Sequence, residues 1–441
     1  MQPSPTAPLS VADFGVRLAA LGAGPRLAIA FSGGGDSLAL LILAAAWARK
    51  SKRRSVVAYT VDHGLRTEAA AEARDCARVA ASLGVAHRIL RWRGDKPSSG
   101  IQAAARAARY ALLAEACLAD DVSDLLVAHH LEDQAETFLL RLARGSGVDG
   151  LSGMTASRPL SVAPSVRLLR PLLDVPQSTL RAVVARAGRT PVEDPSNANR
   201  RYDRVKARAL VAGLADLGLT PQRLSDTAQH MARVREVLDQ TTAGLLQACV
   251  VVHPSGYADA DLSALREAPD EIALRALAEL LKTVSGQIYP PRFDALSAVH
   301  QSLLRGAGLA RARTLHGCRI AVRQNRLLVM REVAAAVAAS PVTLASGRAT
   351  IWDGRFSVFA SGKSRRGRGS VRALGVDGLR LARASGWVAP DAPKIMLPSL
   401  PALWAGDKLV APAQFGAMSG KSPAPAPFSA VFLPRGLFGP V

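Results

Sequence analysis

Residues 32–37 read SGGGDS, set between the apolar runs LAIAF (27–31) and LALLILAAAW (38–47). Three consecutive glycines contribute no side-chain packing and cost backbone entropy on folding. What they leave is a row of bare N–H groups. A helix starting at that point adds its dipole, and the two together make a seat for phosphate. The loop is not a Walker A motif, because no Lys follows the glycines. GKS does occur at 362–364 and 420–422, but the first lacks the upstream glycine, Ser357 standing in its place, and the second has one residue too few between glycines. RGSGVDG (144–150) contains G-x-G-x-x-G but follows a helical pattern, so it fails the dinucleotide context.

The elements that must position this loop can be read around it. Strand candidates are 27–31, 56–62, 86–92, 124–130 and 166–172, and helical patterns fill roughly 36–49, 67–83, 101–119, 131–144 and 176–187. Such alternation predicts an α/β fold with a parallel sheet covered by helices on both faces. Ligands of such sheets bind beyond the carboxyl ends of the strands. SGGGDS, DHGLR (62–66) and the pair His129–His130 all fall there. From about 215 to 310 the pattern turns helical, and 317–332 reads as a hairpin turning near Gln324–Asn325. Asp353–Gly354 signals a second hairpin. The expected division is a catalytic domain over 1–215, a mainly helical domain ending in a hairpin over 216–333, and a basic, Gly/Pro-rich, partly β region over 334–441.

Lys and Arg number 56 against 35 Asp and Glu, a formal net charge of +21, which favours a polyanionic partner. The other reading is an Arg-rich composition spread over a solvated surface. Aromatic residues make up 5%, too few for a broad base-stacking platform. The apolar stretch at 38–47 is too short to cross a bilayer, and the first residues, MQPSPTAPLS, show no secretory pattern, so a cytoplasmic protein is expected. Cys76, Cys117, Cys249 and Cys318 have neither C-x-x-C nor zinc spacing and read as buried thiols.

SGGGDS resembles the pyrophosphate-binding loop, S-G-G-x-D-S, of the N-type ATP pyrophosphatases, the PP-loop enzymes. Downstream of it, VDHGLR (61–66), GIQAAARAARYALLAEA (100–116), AHHLEDQAETFLLRLARGSGVDGLSGM (128–154), LLRPLLDVPQSTLR (168–181) and EDPSNANRRYDRVKAR (193–208) follow in order. Together they closely resemble the tRNA(Ile)-lysidine synthase family. Glu132 departs from the family's more frequent Asp, keeping the charge on a longer arm. The resemblance implies adenylation of the wobble cytidine of tRNA(Ile) by ATP, then displacement of AMP by free L-lysine, so that a CAU anticodon reads AUA. It also implies Mg²⁺ as cofactor, and a homodimer is compatible with it.

By that resemblance Ser32, Gly33, Gly34, Gly35 and Ser37 hold the pyrophosphate end of ATP, with Asp36 beside Mg²⁺. Asp62, His63, Arg66 and His129 are assigned to the nucleotide, His63 towards the adenine. Arg106 is assigned to phosphate charge, and the other reading is a solvated Arg. Asp133 and Glu136, three apart on one helix face, can hold the ammonium groups of lysine, or simply complement the helix dipole. Arg200, Arg204 and Arg208 form a stripe for the tRNA backbone, or a solvated face. Three rivals remain. A PP-loop tRNA sulfurtransferase would typically need catalytic cysteines or a C-x-x-C. A nucleotide- or tRNA-binding module without turnover would have no use for the motif carboxylates. NAD synthetase and amidotransferase halves share the loop but not DPSN.

Overall fold

In the computed structural model, described over residues 7–65, 68–94, 96–97, 99–191, 203–304, 311–344, 349–360, 369–415 and 428–434, the chain divides into two compact units, 1–236 and 237–441. The first unit opens with α1 (Val11–Ala20), capped by Ser10, whose hydroxyl accepts from the Asp13 N–H at 3.1 Å. Then come β1 (Arg26–Ala30), α2 (Gly35–Arg49), β2 (Ser55–Asp62), α3 (Ala69–Ser82), β3 (Ala86–Arg91) and α4 (Ile101–Ala119). These are followed by β4 (Asp124–Leu126), α5 (Leu131–Leu142), α6 (Val148–Leu151), β5 (Ser157–Leu160), β6 (Ala163–Leu169), α7 (Gln177–Arg186) and α8 (Asp203–Leu214).

The sheet order is β3-β2-β1-β4-β6-β5, parallel throughout except for the antiparallel edge strand β5. Alternate residues of the strands feed opposite faces, as period-2 geometry dictates. Leu27, Ile29, Leu126 and Leu169 pack with α1, α2 and α7, while Ala28, Tyr59, Leu125 and Leu168 pack with α4. Helix α2 is apolar nearly all round and buried along most of its length, so it is held from every side. Its rigidity fixes the loop at its N-terminus. The chain runs from β1 outward to β3 and then returns by α4 to place β4 on the other flank of β1. This reversal opens a crevice between the carboxyl ends of β1 and β4.

The β4 ladder is shorter than the predicted 124–130, because residues 127–130 leave it to enter that crevice. Buried Asp124 anchors the strand's start: its carboxylate accepts from Arg167 Nε at 2.8 Å and from the Gly24 N–H at 2.7 Å.

Helix α9 (Pro221–Cys249) leads into the second unit. Two strands interrupt the predicted helical stretch, β7 (Val250–Val252) and β8 (Ala258–Asp261). The β-branched Val250–Val252 run and the Pro254–Gly256 turn explain the switch. Next come α10 (Leu262–Glu267), α11 (Asp270–Ser285), α12 (Phe293–Leu304), β9 (Arg313–Leu315), β10 (Cys318–Arg323) and β11 (Arg326–Arg331). The β10–β11 hairpin turns at Gln324 and Asn325, both at positive φ. After α13 (Val333–Val337) and β12 (Val342–Thr343), a second hairpin joins β13 (Thr350–Trp352) and β14 (Phe356–Ala360) through a turn at Asp353–Gly354. The last elements are β15 (Ser370–Ala373), α14 (Gly375–Ala384), β16 (Pro401–Ala405), β17 (Lys408–Pro412), β18 (Gln414–Phe415) and β19 (Phe428–Phe432). Inside this unit the Asp353 carboxylate accepts from both Arg331 (Nη2, 2.6 Å) and the fully buried Arg355 (Nε, 2.7 Å). All four cysteines are buried and unpaired. Among the described residues no helix is long and apolar enough to cross a membrane.

Candidate active site

The loop after β1 is closed by its own serines. The Ser37 hydroxyl donates to Gly34 O at 2.9 Å and lies 3.1 Å from the Ser32 hydroxyl. Of the three glycines, Gly33 alone has a left-handed backbone, φ 84°. A Cβ on Gly34 or Gly35 would meet nothing closer than 3.8 Å. Sterics inside the protein therefore do not require glycine at those two positions. Their bareness suits a ligand that approaches the backbone closely.

Asp36, in the first turn of α2, points across the crevice. Gln177 Nε2, at the start of α7, donates to its carboxylate at 3.2 Å, and His130 Nε2 lies 3.4 Å away. Burial alone would raise the Asp36 pKa; the His130 and Gln177 hydrogen bonds and the Arg181 charge outweigh it and hold the group below the ordinary value. His130, 2% exposed, is the centre of the cluster. Its Nδ1 sits 2.9 Å from Glu132, and its Nε2 is 3.6 Å from Asp133. Burial disfavours an imidazolium, but Asp36, Glu132 and Asp133 together push its pKa up to about 10. His130 is thus charged at neutral pH and neutralises the carboxylates around it.

Glu132 also accepts from the Gln177 N–H at 3.0 Å, and its pKa is lowered: burial opposes ionisation, but the bonds from His130 and Gln177 prevail. Its longer arm thus ties the start of α7 to the start of α5. Asp133 accepts from the His130 N–H at 3.1 Å and helps to cap α5. Glu136, one turn on, is buried and accepts from Arg208 Nε at 2.8 Å. Burial tends to lower the Arg208 pKa, but Glu136, Asp133 and Asp36 raise it, so the field of three carboxylates converges where its guanidinium lies.

Beside the loop, at the carboxyl ends of β1 and β2, is a cavity of about 340 Å³ lined by Ser32, Thr60, His63, Glu72, Cys76 and Arg109 among others. Its size falls within the usual range for small-molecule sites. His63 is kept neutral, first by burial and then by Arg109, and its buried Nδ1 has no hydrogen-bond partner among the described residues.

The other predicted residues are placed as follows. Asp62 accepts from the Gly64 N–H at 2.9 Å and shapes the turn that carries His63. His129 Nδ1 accepts from Arg170 Nε at 3.2 Å. Arg106 lies over the Tyr110 ring and is not among the residues lining the cavity; Arg109 is. Arg66 and Arg200 lie outside the described residues, and the side chain of Arg204 does as well. The sequence singles out the His129–His130 pair and the shared face of Arg106 and Arg109. It favours His129 and Arg106, where the cluster centres on His130 and the cavity is lined by Arg109, and it leaves the link through Gln177 unseen. Nothing in the sequence pointed to Gln177.

Residues 16–213 match the PP-loop domain family. Over 410 residues the chain is 38% identical to the tRNA(Ile)-lysidine synthase of Ruegeria pomeroyi, covering 90% of each chain. The chain belongs to the tRNA(Ile)-lysidine synthase family. The synthase of Rhodopseudomonas palustris is 41% identical over 322 residues, covering 70% of this chain and 91% of the relative. A solved structure, the U34-tRNA thiolase NcsA from Methanococcus maripaludis with its [4Fe-4S] cluster, superposes with a TM-score of 0.44 at 15% identity, covering 51% of this chain and 78% of that one.

Proposed function

We propose that the chain ligates free L-lysine onto C2 of the wobble cytidine of a CAU-anticodon tRNA(Ile), consuming ATP and releasing pyrophosphate and AMP. The observation that carries this reading is the meeting of the PP-loop Asp36 with the His130-centred carboxylates in the crevice between β1 and β4. It puts a phosphate seat and a cation seat side by side. The adenine occupies the cavity, where His63 Nδ1 gains a partner, and the phosphates lie along Ser32–Ser37. Asp36, kept ionised, is one carboxylate of the kind that holds Mg²⁺ together with substrate phosphates, and Mg²⁺ would neutralise phosphate charge there. Among the described residues there is no cluster of three or more ligands that could hold the ion without the nucleotide.

The cytidine O2 attacks the α-phosphorus and pyrophosphate leaves, giving an adenylated base. Arg106 supplies positive charge on the acceptor side of that transfer. Lysine enters with its ammonium groups towards Asp133 and Glu136, in the field that now holds Arg208. Its attacking amine, once deprotonated, adds to C2 and expels AMP. Catalysis is assigned to 1–215, which also carries the backbone-binding arginines Arg200 and Arg204, followed by a mainly helical domain over 216–333 and a basic, partly β region over 334–441, in a cytoplasmic enzyme. The test is to incubate the protein with ATP, labelled lysine and tRNA(Ile) transcripts and to digest to nucleosides. Label in a modified cytidine that depends on ATP is expected. Label absent from the RNA, or a sulfur-containing base formed instead, overturns the reading.

A further inference from the structure

Three guanidiniums gather where α4 meets the β6–β5 side of the sheet, Arg106 from the helix, Arg158 from β5 and Arg170 from the end of β6. Arg106 and Arg158 place their guanidinium carbons 5.2 and 5.9 Å from the Tyr110 ring centroid. Arg170, directly after β6, is 4% exposed and is fixed by Thr155 O at 2.7 Å and His129 Nδ1 at 3.2 Å. Among the described residues no carboxylate forms an ion pair with Arg106, Arg158 or Arg170. Burial, together with the charges of Arg158 and Arg106, presses the Arg170 pKa down to about 10. Like charges held together in this way are unfavourable until an anion joins them.

The triphosphate does not account for all of this charge. Its seat is the loop after β1, and the cavity beside it opens towards β2 and α3. Arg158 and Arg170 lie on the opposite flank, beyond β4, where the strand order puts β6 and β5, and Arg106 and Tyr110 reach them from α4. A nucleotide whose base reaches the crevice between β1 and β4 must carry its own backbone past one flank or the other. The flank with exposed arginines and an aromatic ring has the chemistry for it. Rigid guanidiniums also match the paired oxygens of a phosphodiester better than ammonium groups do.

We propose that Arg158, braced on Tyr110 beside Arg106, and Arg170, held by Thr155 and His129, seat a phosphodiester of the tRNA next to the cytidine to be adenylated. This rests on the lysidine reading for the identity of the RNA. Arg170 is the fixed floor and Arg158, exposed on an edge strand, is the outer clasp.

The test uses Arg158→Ala and Arg158→Lys in the full chain, with unmodified tRNA(Ile) and with tRNA(Ile) carrying a neutral methylphosphonate on either side of the wobble cytidine. For Arg158→Ala the tRNA KM should rise roughly tenfold, as expected for a lost charge-assisted hydrogen bond. The log–log salt slope of binding should become shallower by about 0.7–0.9. Arg158→Lys should recover the slope but only part of the affinity. KM for ATP and for lysine at saturating tRNA should stay unchanged. One of the neutral linkages should weaken the wild type clearly more than it weakens Arg158→Ala, in which only the Arg170 contact is left to lose. An unchanged slope, equal penalties from the neutral linkage in both proteins, or a raised ATP KM would each overturn the proposal. If the wild type makes no lysidine, the function proposed above fails, while filter binding over the salt series still decides the fate of the seat.

Discussion

His130 sets the charge state of the crevice because three carboxylates depend on one buried imidazolium. Its folded pKa, about 10, lies above the unfolded value of 6.5, so its stabilisation is complete below about 6.5 and is lost as pH rises through 10. Asp36 and Glu132 are shifted the opposite way, so their contribution holds above their unfolded values of 3.8 and 4.5 and is lost at more acid pH. Comparing urea midpoints of wild type and His130→Gln should show the largest gap between about pH 4.5 and 6.5, closing towards pH 10. A gap that grows with rising pH would mean His130 is neutral. Asp133 and Glu136 give a second expectation at this scale. Replacing the carboxylate that holds lysine should raise the lysine KM far more than the ATP KM, whereas equal effects on both would mark a carboxylate that only supports the fold.

Among elements, the loop–α2 junction separates folding from function. Gly35 is the first residue of α2, and a Cβ there has room. Gly35→Ala should therefore leave the melting temperature unchanged or raise it slightly, since Ala is favoured over Gly in a helix by about 0.5–1 kcal/mol. The same methyl would stand where the phosphates approach, so AMP formation should fall at least tenfold. Strand β4 supplies the contrasting case. Asp124→Ala leaves the Gly24 N–H without its partner and removes a half-exposed ion pair with Arg167, and should cost roughly 1–3 kcal/mol in denaturant unfolding. The strands and helices that build the crevice were legible from residue patterns because each must bury one face, and β1 to α4 fall within two residues of their predicted bounds. Strands β5, β7 and β8 were not. They are three or four residues long, too short for a period to emerge, and they exist because partner strands complete their hydrogen bonds. In the site, Asp36 announced itself by its motif. The bonds from Gln177 and Glu132 did not, because they join α2, α5 and α7 across more than forty residues of chain.

For the whole molecule, the net charge of +21 sets how tightly and how salt-dependently a polyanion is held. If Arg200 and Arg204 contact the tRNA backbone, their contribution should be independent of sequence, since phosphate contacts position and base contacts specify. Replacing both with Ala should flatten the salt slope by about 1.4–1.8 for tRNA(Ile) and tRNA(Met) alike, measured by filter binding, with ATP affinity unchanged. An unchanged slope would reduce the stripe to a solvated face. Arg208 does not belong in that experiment, because its guanidinium is committed to Glu136. In the second unit, Arg331, Asp353 and Arg355 carry a consequence for descent. Losing Asp353 alone strands two buried cations, and losing either arginine unbalances what remains. Replacing all three by apolar residues of similar volume need cost little. Such energies do not add, so the valley between the two states cannot be crossed one substitution at a time without a poorly folded intermediate. A lineage that holds this trio is held by it, and the three codons should be inherited or lost together.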